Sequence, residues 1–301
     1  MKEIDLQIQS IQEEMIQEIQ KVIQIRSVED RPKEGMPFGE GVDRCLRYTL
    51  DLAKRLGFRV KYGQGYYGYA EMGEGEEIIG ILGHLDVVPE GDLSRWVHPP
   101  YGGIIEDGKI YGRGAVDDKG PTIAALYGMK VIQNLNIPLK KRVRILFGVH
   151  EEGLWVDMDR YKKEEELPTC GFTPDGDYPM IAAEKGLLQF RLFCKNESSV
   201  QLWGGSAYNM VPDQCQCIVR ADLEKAEVLK TLGFSEGQRQ KKLTAKGKSA
   251  HSSRADEGEN AICKMCEMLY QAGVQTEAVR FVAEMVGEDC YAEKIFGICE
   301  D

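Results

Sequence analysis

The segment over residues 78–88, IIGILGHLDVV, limits the fold more than any other: it is almost continuously apolar, the pattern of a strand covered on both faces. Such a strand needs a parallel neighbour and helices above and below. They follow in order, as a helical stripe over residues 121–135 and a second apolar strand, RVRILFGV, over 142–149. Strand, helix, strand is the alternation of an α/β fold with a mixed, mostly parallel sheet and flanking helices. Upstream, Ile8, Ile11, Met15, Ile16, Ile19, Val22 and Ile23 form one face of an amphipathic helix over residues 4–25. Cys45, Leu46, Leu50, Ala53 and Leu56 mark a second helix, with Gly57 as its C-cap. FRVKY and YGYAEMG between them read as strands.

From about residue 187 the texture changes. LLQFRLFC, QLWGG, CQCIVRADL and KLTAKG are short strand-like runs, with helices expected at 223–232 and 258–272 and from about Thr276, before a last apolar strand in KIFGICED. Two domains are therefore expected, 1–186 and 187–301, the second of α+β type.

Lys and Arg number 38 against 49 Asp and Glu, a formal charge of −11 that repels nucleic acid and anionic membranes. No apolar stretch approaches the ~20 residues of a membrane span, and the first twenty residues are acidic and Gln-rich, unlike a signal peptide. The expected location is the cytoplasm. GxGxxG and GxxxxGK[ST] are both absent, so no phosphate-cradling loop is expected. The nine cysteines are scattered and odd in number. They read as reduced thiols, and the pairs Cys215/Cys217 and Cys263/Cys266 as buried hydrophobes in preference to a structural zinc site.

Only four histidines are present, His84, His98, His150 and His251. His84 closes the buried strand, and Asp86 lies two residues on, on the same face by the strand's period of two. A metal-binding histidine usually has its second ring nitrogen held by such a carboxylate; a hydrogen-bonded strand-end histidine is the plainer alternative. Three further acidic clusters favour the ligand. Asp117 and Asp118 precede a helix, Glu151 and Glu152 follow the second apolar strand, and Asp175 and Asp177 occupy another turn. Ligands of open α/β sheets collect at the carboxyl ends of strands. Carboxylates with few imidazoles suit two divalent ions, and adjacent glutamates diverge, so one can bind metal while its neighbour acts as a base. The chemistry expected is water attack on an amide.

These motifs, in order, are GHLDVVPEGD, GKIYGRGAVDDKGP, HEEG, FTPDGDYP with AAEKG, GGSAYNMVPD and KGKSAHSS. Together they resemble the zinc dipeptidases of the PepV type, within the aminoacylase and carboxypeptidase-like clan of two-zinc exopeptidases. The resemblance runs to about residue 298. It implies a zinc-exopeptidase catalytic domain with an inserted ferredoxin-like lid, and dipeptides as substrates. It implies that His84 and Asp175 bind one zinc, that Asp117 bridges both ions and that Glu152 binds the second. Asp86 would orient His84, Glu151 would be the general base, and Asn209 and His251 of the lid would stabilise the oxyanion. His98 matches no ligand position, and His150 stands where the family has an aspartate.

The family pattern also holds a later zinc-binding histidine and a substrate-binding arginine, and no histidine follows His251. A C-terminally truncated chain is therefore expected, with one adequate ion site, a weak second one, little activity, and association with itself or with a complementing C-terminal fragment. Two other functions compete: an N-acyl amino acid amidohydrolase of the same clan, and a catalytically silent binding or assembly fragment.

Overall fold

The structure, a computed structural model, describes residues 2–91, 93–177, 181, 190–194, 199–205, 207–287, 289 and 297. These belong to two compact units, Met1–Lys185 and Gly186–Asp301.

In the first unit α1 (Lys2–Ile23) and α2 (Glu40–Arg55) lead into β1 (Arg59–Tyr62), β2 (Gly68–Met72) and β3 (Ile78–His84). A hairpin of β4 (Ile104–Glu106) and β5 (Lys109–Tyr111) precedes α3 (Lys119–Asn134), β6 (Arg142–Gly148), α4 (Val156–Glu164) and β7 (Cys170–Phe172). The sheet order is β1-β2-β6-β3-β7. β3 runs parallel to β6 and β7, whereas β1 with β2, and β2 with β6, are antiparallel. The sheet is thus mixed: β1, β3, β6 and β7 point one way and β2 alone runs against them. The turn between β1 and β2 is too short for a parallel return, which takes a crossover of roughly a dozen residues or more.

The strand also stops at His84, short of the apolar run's end at Val88. Its partner β6 ends at Gly148, directly opposite His84, and the ladder runs out. The Leu85 N–H still reaches the Gly148 carbonyl at 2.8 Å, and the Val87 N–H turns to Ser27 at 3.1 Å.

Burial explains the helices. Ile19, Val22 and Ile23 of α1, Cys45 and Leu46 of α2, and Ile123 and Leu126 of α3 share one core with Ile81, Ile145 and Phe147 of the sheet, each large apolar side chain worth about 1.5–3 kcal/mol when removed from water. Lys119, the first residue of α3, is fully buried. Its Nζ donates to the carbonyls of Val22 (3.1 Å) and Ile25 (2.6 Å), at the end of α1 where carbonyls run out of intrahelical partners. Burial lowers its pKa.

The second unit holds β8 (Val200–Gly204), β9 (Gln214–Arg220), α5 (Ala226–Thr231), β10 (Gln240–Lys246), α6 (Ala261–Gln271) and α7 (Glu277–Phe281). Its sheet, β10-β9-β8, is antiparallel throughout. Cys215, Cys217 and Val219 alternate onto the buried face of β9 and share a core with Met265, Cys266 and Leu269 of α6. Asn260 caps α6 by accepting from the N–H groups of Ile262 (2.9 Å) and Cys263 (3.2 Å). Of the run expected as a strand over 187–194, residues 190–194 carry no regular structure and 187–189 lie outside the described residues, as does most of KIFGICED.

Candidate metal centre

The acidic clusters meet where the parallel strands end. His84 is the last residue of β3, Glu151 and Glu152 lie in the turn after β6, and Asp175 follows β7, while Asp117 and Asp118 immediately precede α3. Donor atoms of His84, Asp117 and Asp175, one from each, lie within 4.8 Å of one another. His84 Nε2 is 2.9 Å from Asp117 Oδ1, 3.6 Å from Asp175 Oδ2 and 3.9 Å from Glu151 Oε2. His84 is buried, Asp175 half-buried and Asp117 exposed, so the cluster opens at one side.

Asp86 touches His84 differently from the expectation drawn from alternation. The strand has ended before it. Its main-chain carbonyl is 3.0 Å from His84 Nδ1, and its carboxylate Oδ1 3.4 Å. Its other oxygen accepts the Glu152 N–H at 3.0 Å, so Asp86 ties the turn after β6 to the end of β3.

The Asp117–Asp118 peptide is cis, and the two side chains part company. Asp118 is fully buried, and its Oδ2 accepts from the His84 N–H (3.1 Å) and the Thr122 hydroxyl (2.7 Å). Gly83 leaves room for this: a Cβ there would lie 2.0 Å from Thr122 Oγ1 and 2.9 Å from Asp118 Oδ2. Sequence reasoning counted Asp118 in an acidic cluster without giving it a role of its own, and did not single out Thr122. Their four-residue spacing at the mouth of a helix was the available signal.

The electrostatics follow from this crowding. Burial alone would lower the His84 pKa, but hydrogen bonds to Asp117, Asp175 and Asp86 override it and raise it far above 6.5. Burial first, then the charges of Asp175, Asp86 and Asp117, push Glu151 up to about 6 against the pull of His84. Burial and Asp117 push Glu152 up to about 7, and burial brings Asp118 to about 7. Asp86 Oδ1 and Asp118 Oδ1 are buried without a hydrogen-bond partner among the described residues. One imidazole faces more carboxylates than it can neutralise. A divalent cation would supply the missing charge, and a donor set of one ring nitrogen and several carboxylate oxygens fits zinc or a harder ion.

The remaining histidines are accounted for elsewhere. His98 Nε2 is 3.0 Å from Glu106 and its ring packs on Tyr111. His150 is buried and faces the neighbouring turn, not the acidic cluster. Asn209 and His251, 42 positions apart in sequence, are brought together in the second unit. Met210 bridges His251, and the Ser252 N–H donates to the Asn209 carbonyl at 2.8 Å. Trp155 and Trp203 are 44% and 45% exposed. Cys215, Cys217, Cys263 and Cys266 of the second unit are buried and in no disulfide; burial raises the thiols of Cys215 to about 11 and of Cys217 and Cys266 to about 12. Among the described residues they form no metal-binding group.

A family model described as peptidase family M20/M25/M40 matches residues 80–290. The chain is 37% identical to "Putative dipeptidase YtjP" of Bacillus subtilis, over 96% of this chain and 67% of that protein. It is 34% identical to a Staphylococcus aureus protein of the same description, over 92% of this chain and 63% of the relative. The chain thus spans about two thirds of the length of these curated relatives. Among solved structures, human carnosine dipeptidase 1 matches with a TM-score of 0.47 and 27% identity, over 54% of this chain and 38% of that one. No helix among the described residues is long and apolar enough to cross a membrane.

Proposed function

The chain belongs to peptidase family M20/M25/M40, and from that premise we propose that it carries the ion-binding and base residues of a dipeptidase dependent on divalent metal, of the PepV type. The observation that carries this reading is the convergence of His84, Asp117 and Asp175, with Glu151 Oε2 3.9 Å from the same imidazole nitrogen.

In this reading His84, Asp117 and Asp175 would hold one zinc, and Asp117 and Glu152 would serve a second ion. Asp86 keeps the His84 ring in place through its carbonyl and carboxylate. When bound, the ions supply Lewis acidity, polarising the scissile carbonyl and lowering the pKa of water toward about 7. Glu151, with its pKa near 6, is ionised at neutral pH and takes a proton from the attacking water. As the oxygen–carbon bond forms and the carbon–nitrogen bond breaks, Glu151 returns that proton to the leaving amine, a contribution of roughly 10²–10⁴ in rate. Asn209 and His251, in a lid formed by the second unit, would stabilise the oxyanion. The seven described cysteines, none in a disulfide, fit a reducing, cytoplasmic setting.

Isothermal titration of the metal-stripped chain with zinc tests the site. At least one tight ion is expected, because His84, Asp117 and Asp175 supply the three protein ligands typical of a catalytic zinc. Absence of zinc uptake would sink the reading, as would an Asp175→Asn variant that binds zinc like the wild type. A panel of dipeptides and N-acyl amino acids, run with zinc or cobalt, separates peptidase from amidohydrolase.

A further inference from the structure

The turn that carries Glu151 and Glu152 is bonded largely to itself, through two side chains that belong to no ligand set. Asp157 is 1% exposed. Its Oδ2 accepts from the N–H groups of Val149 (2.8 Å) and His150 (3.1 Å), and its Oδ1 from Met158 N–H (2.7 Å). His150 Nδ1 accepts from the N–H groups of Leu154 (3.2 Å) and Val156 (3.4 Å). The ring stacks on Phe38 with centroids 4.4 Å apart and planes 17° from parallel. A Cβ on Gly153 would sit 2.4 Å from its Nε2, and Glu29 Oε1 lies 3.4 Å from that same nitrogen. The ring is therefore fixed on its edge and its face, and Asp157 fixes the chain on either side of it.

We propose that His150 and Asp157 are positioning residues that set the Glu151–Glu152 turn so that both carboxyls reach the ion site. The proposal rests on reading that site as a metal centre, and adds to it how the base and the second ligand are aimed. Position 150 immediately precedes the base, yet its ring acts by accepting two amides, not by placing a charge beside Glu151. Without His150 Nδ1, the N–H groups of Leu154 and Val156 turn to water, and the segment between Glu152 and α4 keeps only its main-chain bonds from Gly153 and Trp155 to the His150 carbonyl. Losing such outer partners typically costs 10–100-fold in metal affinity.

Two substitutions separate bonding from packing. His150→Phe keeps the stack on Phe38 and loses the acceptor; His150→Asn offers a carbonyl oxygen near the place of Nδ1 and loses the stack. Amide hydrogen exchange of Leu154 and Val156, measured in the metal-stripped chain, should quicken about tenfold or more in His150→Phe and stay near wild type in His150→Asn. Zinc affinity by titration should fall about 10–100-fold in His150→Phe and in Asp157→Asn, and remain close to wild type in His150→Asn. Unchanged exchange at both amides in His150→Phe would overturn the proposal, as would a His150→Asn variant as impaired as His150→Phe. If the wild-type chain takes up no zinc, the metal reading fails, while the exchange experiment still decides whether His150 holds the turn.

Discussion

Replacing Glu151 with Gln should stabilise the ion-free chain while removing the base, and the size of the gain follows from the site. The carboxyl is raised from an ordinary 4.5 to about 6 by burial and by its acidic neighbours, which corresponds to roughly 2 kcal/mol against ionisation. The side chain is 32% exposed, so solvent screening reduces this to about 1 kcal/mol. A carboxyl whose folded-state pKa is raised costs nothing while both states are protonated; its cost appears as pH rises through 4.5 and is complete above 6. The gain from Glu151→Gln should therefore be absent near pH 4 and full at pH 8. For a unit of this length, 1 kcal/mol moves the midpoint by about 2–4 °C. Thermal melts followed by circular dichroism in chelator, at pH 4 and pH 8, give the test. Added zinc should reverse the order at pH 8, since the wild-type cluster gains more from the cation than the variant does. Equal midpoints at pH 8 in chelator, or the same gain at both pH values, would refute the claim that crowded negative charge strains this site.

Thr122→Val removes one of the two donors to the buried Asp118 Oδ2, and should lower stability by about 1–3 kcal/mol; a melting midpoint equal to wild type contradicts it. Asn209→Ala and His251→Ala should leave the zinc isotherm unchanged and lower dipeptide turnover about 10²–10³-fold, so a weakened isotherm in either would place these residues in ion binding instead. In the native chain a thiol reagent should label the exposed Cys170 and Cys194, whereas Cys45, Cys215, Cys217, Cys263 and Cys266, all buried, should react only on unfolding. Rapid native labelling of any of those five would show that the cores around them open.

Much of the fold was legible because it depends on local pattern. The stripe over residues 4–25 became α1 (Lys2–Ile23), and the run over 142–149 became β6 (Arg142–Gly148). Which strand is reversed was less so: β2 runs against its neighbours because of the short turn between β1 and β2, a quantity that hydrophobic periodicity does not weigh. The end of β3 was not legible at all. Leu85 and Val87 are buried and read as strand, yet a strand ends where its partner does, and the position of Gly148 opposite His84 is a fact of pairing. The β4–β5 hairpin was missed because its residues are largely exposed and its strands short, leaving little apolar alternation to detect.

Side-chain direction at the site divides along the same line. Within a strand, alternation fixes which way a residue points, and that reasoning placed His84 at the buried end of β3. Past a strand's end each side chain follows the bonds of its turn. Adjacent acidic residues show the consequence: Asp117 stands exposed beside His84 Nε2, while Asp118 is sealed beneath it against Thr122. That neighbours diverge could be anticipated for Glu151 and Glu152, and it applies equally to the aspartates. Which member of a pair enters the cleft depends on partners remote in sequence. Asp118 is drawn inward by the His84 N–H, 34 residues away, just as His150 is turned from the base by the amides of Leu154 and Val156 and by the ring of Phe38. A single substitution can therefore re-aim a doublet without altering either of its members, which is why His150→Phe, rather than any change at Glu151 itself, most directly probes how the base is held.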